Sequence, residues 1–374
     1  MLLHKSVVHD SRVRREAATL AEHGHDVVVL ELADVGSREL DGFRRRSVLP
    51  PARIRRLPFH LHRAVLAWTF ARGVVRERPD VIHAHDAAML VPGLIGARLT
   101  RARLVYDTHE LATGVPYREG FWEWFVDRIE RLGLPRTTAV ITVSDGIAAR
   151  LVERYRLPTT PVVLRNVCDL ERRGDGGLRT RLGLADDAPL VLHQGAPAVG
   201  RGCEVLIDAV ATLPDVHLVF LGDGTPAHVA DLQDRVRRCG VGDRVHFAPA
   251  VPLAELLANT AQADVGVTLL QDTCENHRLA LPNKLFEYLA AGVPVVASDL
   301  PEMARVVEGA DVGATVAQDD RDAVAAGIAS VLERRRSSDG WLDRVAAAGA
   351  ELRWDRERRR LTDLYDWLRG LPAR

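Results

Sequence analysis

Short β-branched and aliphatic runs alternate with longer stretches of helical spacing along most of the chain. Leu2 to Val8 reads as a strand, Val13 to His23 as a helix stopped at Gly24, and Asp26 to Leu32 as the next strand. Val81 to Ala84, Leu104 to Tyr106, Val140 to Val143 and Val162 to Leu164 read as further strands. This β-α-β order predicts a parallel, doubly wound sheet.

A glycine- and charge-rich passage, Glu171 to Gly177, then interrupts the pattern and reads as an interdomain connection. The alternation restarts with strands at Leu190 to His193, His217 to Leu221, Val245 to Phe247, Asp264 to Thr268 and Pro294 to Ser298. Helices at Glu204 to Thr212, His228 to Cys239, Leu253 to Ala261 and Asn283 to Ala291 fall between them. The expected organisation is a first α/β domain over 1–170 and a second over 185–350. A last helix, Glu351 to Leu371, carries an apolar stripe of Leu352, Trp354, Leu361, Leu364, Tyr365 and Leu368.

The length of 374 residues fits two packed units, and two units imply a cleft. A formal net charge of −1 provides no broad basic field for nucleic acid. No apolar stretch reaches the roughly 20 residues of a bilayer span, and no leader pattern opens the chain, so a cytoplasmic protein is expected. Cys168, Cys203, Cys239 and Cys274 lie far apart with no C-x-x-C pair and read as reduced, buried thiols. Of 50 basic residues only Lys5 and Lys284 are lysine, which draws attention to any place where a compact ammonium has been kept.

The segment LPNKLFEYLAAGVPVVASDLPE, residues 281–302, carries the most chemistry. Pro282 precedes a helix whose first turn holds Asn283 and Lys284, so unpaired N–H groups and an ammonium converge where a phosphate would be favoured. Glu287 lies one turn further on, where a carboxylate can accept from two ribose hydroxyls. A surface Lys–Glu pair is the plainer reading of that turn. Ala290, Ala291 and Gly292, followed at once by a buried strand, weigh toward a nucleotide site.

This segment closely resembles the donor-binding signature of retaining glycosyltransferases of the GT-B fold, in particular glycosyltransferase family 4, the group 1 type. The resemblance extends through HDSRVRREAATLAEHGHDVVVL (9–30), PDVIHAHD (79–86), YDTHE (106–110), HQGAPAVGRGCEVLIDAV (193–210), VHLVFLGDG (216–224) and VHFAPAVP (245–252), in the family's order and spacing. It implies two Rossmann-like doubly wound domains facing across a cleft, with helix 351–374 packing back on the first.

By that resemblance Arg201 and Lys284 contact the donor diphosphate, Glu287 holds the ribose, and His109 reaches toward the donor sugar as the catalytic histidine. Asn283, Leu285 and Gly195 are expected to contact the donor or shape its loop, and Asp86 is placed on the acceptor side. The pattern departs from the family in three places. Leu279 stands eight residues before Glu287, where a first glutamate is usual, leaving nearby Glu275 as a substitute if the loop is rearranged. His9, Asp10, Ser11 and Arg12 replace a glycine-rich loop, with Arg12 offered as phosphate charge in its stead. Ala196 stands where many relatives carry another arginine.

The reaction expected is retaining transfer from a nucleotide-sugar, with UDP favoured, to a hydroxyl on a small molecule, glycolipid or polysaccharide precursor. No convincing D-x-D metal motif stands out, and His83 and His85 lack an evident set of further ligands, so neither a metal nor a cofactor is expected. The alternatives are a catalytically silent GT-B nucleotide-binding partner protein and another GT-B enzyme such as a nucleotide-sugar epimerase. From Arg44 to Arg76, nine arginines without an acid are interleaved with Phe59, Trp68 and Phe70. They read either as solvated charge or as a docking face for anionic lipid or an acidic acceptor.

Overall fold

A computed structural model describes every residue except 35–37, 50–57, 116–119, 170, 338 and 373–374, together with the side chains at 59 and 60. The chain divides into two compact units, Met1–Arg165 with Glu357–Arg374, and Asn166–Arg356.

The first unit holds strands β1 (Leu2–Leu3), β2 (Val28–Glu31), β3 (Glu39–Leu40), β4 (Phe43–Ser47), β5 (Val81–His85), β6 (Arg103–Asp107), β7 (Ala139–Thr142) and β8 (Val162–Val163). Their order is β3-β4-β2-β1-β5-β6-β7-β8, parallel except for the β3–β4 pair. Helix Ser11–Glu22 starts where Asp10 Oδ1 accepts from the Val13 N–H at 3.1 Å. Ser144 caps Asp145–Tyr155 in the same way through the Ile147 N–H. Phe43, Phe70 and Tyr106 are fully buried in this unit's core.

The second unit holds β9 (Leu190–Gln194), β10 (His217–Leu221), β11 (Val245–Ala248), β12 (Val265–Thr268), β13 (Val295–Ser298) and β14 (Gly313–Val316). All are parallel, in the order β11-β10-β9-β12-β13-β14. Phe220, Phe286, Tyr288 and Trp341 fill its core.

Three strands escaped the hydrophobic pattern: β4, β14 and β3, the last only a two-residue antiparallel partner of β4. β4 is FRRRS, yet Phe43 and Arg45 point inward, and the buried Arg45 guanidinium donates to Glu31 Oε1 on adjacent β2 at 2.7 Å. A paired arginine there occupies a position that an aliphatic residue would have announced. β14 opens on Gly313, where a Cβ would stand 1.8 Å from the Val295 carbonyl oxygen.

The boundary between units falls earlier than the 171–177 passage, which belongs to the second unit. Gly176, at φ +84°, packs so closely on Ala258 that a Cβ would meet its carbonyl oxygen at 2.5 Å. The final segment comprises two helices, Trp341–Glu351 and Trp354–Gly370, and residues from Glu357 onward belong to the first unit. Leu361, Leu364, Tyr365 and Leu368 are the buried stripe there.

Candidate functional site

In each sheet the winding direction reverses between two adjacent strands, β1 and β5 in the first unit and β9 and β12 in the second. Beyond the carboxyl ends of such strands the chain leaves a crevice suited to a ligand. The chemistry singled out from the sequence gathers at these two places, one in each unit.

In the second unit, β9 ends in His193 and Gln194, followed by Gly195 at φ +89°. Helix Asn283–Ala290, which follows β12, presents Lys284 and Glu287 to this end. The Lys284 ammonium lies 3.3 Å from His193 Nε2, while one oxygen of Glu287 accepts from the side-chain amide of Gln194. The Gln194 side-chain carbonyl in turn accepts from the Thr260 hydroxyl. Tyr288 anchors the helix: its hydroxyl accepts from the Gln194 N–H at 2.8 Å and lies 3.0 Å from the Leu192 carbonyl. Its ring rests on Gly266, where a Cβ would come within 2.3 Å.

Burial, reinforced by the charge of Arg201, lowers Lys284 to about 8. His193 is held well below the usual imidazole range, first by burial and then by Lys284, so it is neutral. Arg201 is half-buried on the loop after β9, where Gly202 packs on Leu269 so closely that a Cβ would lie 2.5 Å from that residue's own. Two cations, a helix N-terminus and a carboxylate one turn further on make an arrangement chemically able to hold an anionic group beside a hydroxyl-bearing one.

In the first unit, Asp107 at the end of β6 accepts two hydrogen bonds from Arg12, each 3.0 Å long. Asp107 also lies 3.5 Å from His85 and 3.6 Å from His109. His109 Nδ1 is 3.5 Å from Asp86, and its Nε2 is 3.2 Å from His85 Nδ1. Burial opposes charge on His109, but Asp86 and Asp107 outweigh it and raise the imidazole to about 9. His85 is lowered by burial, leaving one charged and one neutral imidazole side by side. Glu16 is raised to about 8 by burial and the nearby Asp107 charge. Asp86 adopts φ +62°, an uncommon conformation for a non-glycine residue, at the turn from β5 into helix Asp86–Thr100.

Several sequence expectations need correction. Arg12 is not placed as a phosphate ligand: it is 3% exposed, and its guanidinium serves Asp107 and the Leu164 carbonyl. The Leu285 side chain is fully buried and its N–H bonds Pro282, so it offers a donor sugar neither. Asn283 is exposed, with its side-chain oxygen accepting from Asn166 at 2.8 Å. Glu275 is half-buried in the first turn of a short helix, Glu275–Arg278, that Leu279 closes. Asp86, expected on the acceptor side, accepts from the His109 N–H at 3.3 Å and lies 3.5 Å from the His109 ring. Cys239 and Cys274 are only partly buried.

The proposed docking face also changes. Positions 50–57 and the Phe59 side chain lie outside the described residues, Phe70 is buried, and Arg44, Arg45 and Arg46 pair with Asp26, Glu31 and Glu77. Trp68 of that face is exposed, and further exposed aromatic surface occurs at Phe121, Trp122 and Trp124 on helix Phe121–Gly133. Among the described residues, no helix is long and apolar enough to cross a membrane.

His193, Gln194, Glu16 and Asp107 were not singled out from the sequence. On a strand, as for His193, Gln194 and Asp107, or on the buried face of a helix, as for Glu16, such residues read as core-facing polar positions, and only the fold shows what they meet. Among the described residues, Glu16, His83, His85 and Asp107 bring potential metal-ligand atoms within 4.8 Å of one another. The two histidines therefore do have carboxylate neighbours. Arg12 already supplies a fixed positive charge there, with Nε 3.0 Å from both Glu16 and Asp107, and this works against a divalent ion.

Two parallel-sheet α/β units in one chain, the second with a cationic helix terminus, define the GT-B class. Models of glycosyltransferase family 4 and of the group 1 glycosyl transferases match residues 11–172 and 188–334. The chain belongs to this glycosyltransferase family and is a hexosyltransferase-type enzyme. It is 26% identical to a glycogen synthase of Mycobacterium tuberculosis over 95% of this chain and 86% of that protein. It is 34% identical to a D-inositol 3-phosphate glycosyltransferase of Xylanimonas cellulosilytica over 50% of this chain and 44% of the relative. The solved structure of Anabaena HepE in complex with UDP and glucose shares the fold, with a TM-score of 0.74, 19% identity and 99% of each chain covered.

Proposed function

We propose that the enzyme moves a hexosyl group from a UDP-sugar, with retention and without a divalent ion, to a hydroxyl of a small polyol, glycolipid or polysaccharide precursor. The observation that carries this reading is the convergence of Lys284, Arg201 and the Asn283–Ala290 helix N-terminus, with Glu287 one turn on. Breaking the anomeric C–O bond leaves negative charge on the diphosphate, and two fixed cations stabilise it as it develops. The acceptor oxygen bonds to the anomeric carbon from the leaving-group face, and its proton passes to a leaving phosphate oxygen. Glu287 accepts from the ribose, and charged His109 donates to the donor sugar, as the family resemblance implies. The bound UDP of the HepE structure supports the choice of base, and the inositol-phosphate relative supports a polyol among the acceptors.

The test is binding and slow hydrolysis of UDP-, GDP-, ADP- and dTDP-sugars in the presence of EDTA, with Lys284→Ala as control. UDP-sugar should bind selectively and hydrolyse despite EDTA, and both properties should be lost in the variant. Turnover abolished by EDTA refutes the metal-free reading; preference for another base refutes UDP.

A further inference from the structure

We propose that His193 is a positioning residue for the donor site: as a neutral imidazole it accepts a hydrogen bond from the Lys284 ammonium and keeps that group at the end of β9 for a diphosphate. The inference rests on the nucleotide-diphosphate reading of this site and adds to it a residue that the resemblance does not supply.

The geometry is local and specific. His193 is 1% exposed, with its ring centroid 5.3 Å from that of Phe220, so packing fixes its orientation. Its Nε2 lies 3.3 Å from Lys284 Nζ and 3.7 Å from the Cys203 thiol. Gly195, whose φ of +89° favours glycine, borders the ammonium: a Cβ there would stand at ordinary contact distance, 3.9 Å, from Nζ. An ammonium bond to Nε2 places the ring proton on Nδ1 and leaves the other ammonium hydrogens for phosphate oxygens.

The charges facing Lys284 explain why an acceptor belongs here. Arg201 repels it from the loop after β9, Glu287 attracts it from its own helix, and the Cys203 thiol is pushed up to about 11 by burial and stays neutral. Before a donor binds, a half-buried ammonium facing an arginine would turn away or lose its proton. A neutral imidazole offsets part of that desolvation, whereas a charged one would add a third repelling cation.

The chain has only two lysines, which makes the ammonium directly observable. In protein labelled with carbon-13 at lysine Cε, Lys5→Arg assigns the second signal to Lys284, and its titration is followed in the intact, ligand-free chain. His193→Phe keeps a ring but removes the acceptor, and should lower the Lys284 titration midpoint. His193→Gln, which can again accept, should restore much of it. In parallel, UDP affinity should fall about tenfold in His193→Phe and partly recover in His193→Gln, while uridine affinity is unchanged.

An unchanged Lys284 titration in His193→Phe overturns the inference whatever UDP does. Equal losses of UDP and uridine affinity also overturn it, since they indicate general damage to the site. A shifted titration in a wild-type protein that binds no UDP upholds the His193–Lys284 coupling and refutes the UDP reading.

Discussion

Asp107→Asn tests whether the buried charges of the first unit work as one network. The carboxylate is fully buried, accepts two 3.0 Å bonds from Arg12, itself 3% exposed, and faces His109 at 3.6 Å. Solvent therefore provides little screening. Breaking a buried pair from one side leaves an uncompensated charge and costs about 3–5 kcal/mol, so urea unfolding should show a loss of at least about 3 kcal/mol. The same substitution removes one of the two carboxylates that hold His109 at about 9, leaving Asp86 against the burial penalty. The imidazole midpoint should fall below about 8 in a histidine NMR titration. If stability drops by less than about 1 kcal/mol and His109 still titrates near 9, the charges are independently solvated and the network reasoning fails.

Further substitutions address the other elements. Gly266→Ala would set a Cβ 2.3 Å from the Tyr288 ring and push away the helix that carries Lys284 and Glu287, so donor affinity should collapse along with a loss of about 2–4 kcal/mol, measured by calorimetry and denaturation. Glu287→Gln should raise the donor KM about tenfold or more with a smaller effect on kcat, as removal of a ribose contact requires; a pure kcat effect would exclude that role. Glu16 binds its proton more tightly when folded, with a midpoint near 8 against an ordinary 4.5, so its contribution is complete below about 4.5 and is lost as pH rises through 8. Glu16→Gln should therefore gain melting temperature relative to wild type between pH 5 and pH 8; parallel pH curves would show that Glu16 is ionised throughout.

Much of the second unit was legible because its strands are continuous apolar runs and its key helix announces itself with Pro282 and a lone lysine. The domain alternation and the 281–302 segment needed no tertiary information. What was hidden depended on pairing across the sheet. Arg45 sits inside because Glu31 is its neighbour through the β2–β4 register, and nothing local to FRRRS says so. Arg12 looked like a free loop cation for the same reason: its partner is 95 residues away. Leu285 shows the converse error, a residue drawn into the site by motif position whose side chain the helix turns into the core.

The two switch points illustrate how one topology can serve opposite electrostatic ends. In the first unit the positive groups are already answered: Arg12 by Asp107, His109 by Asp86 and Asp107. An anion approaching that end gains little beyond what the carboxylates already supply. In the second unit Lys284 has for its close partner a neutral imidazole, and Arg201 adds a second positive charge nearby. On the proposed reading, an incoming diphosphate there would meet cations whose mutual repulsion it relieves. The sequence difference behind this contrast is small. At the end of β6 the chain places a carboxylate, Asp107, and one residue before the end of β9 it places His193, and on the proposed reading that choice directs a diphosphate to the second unit.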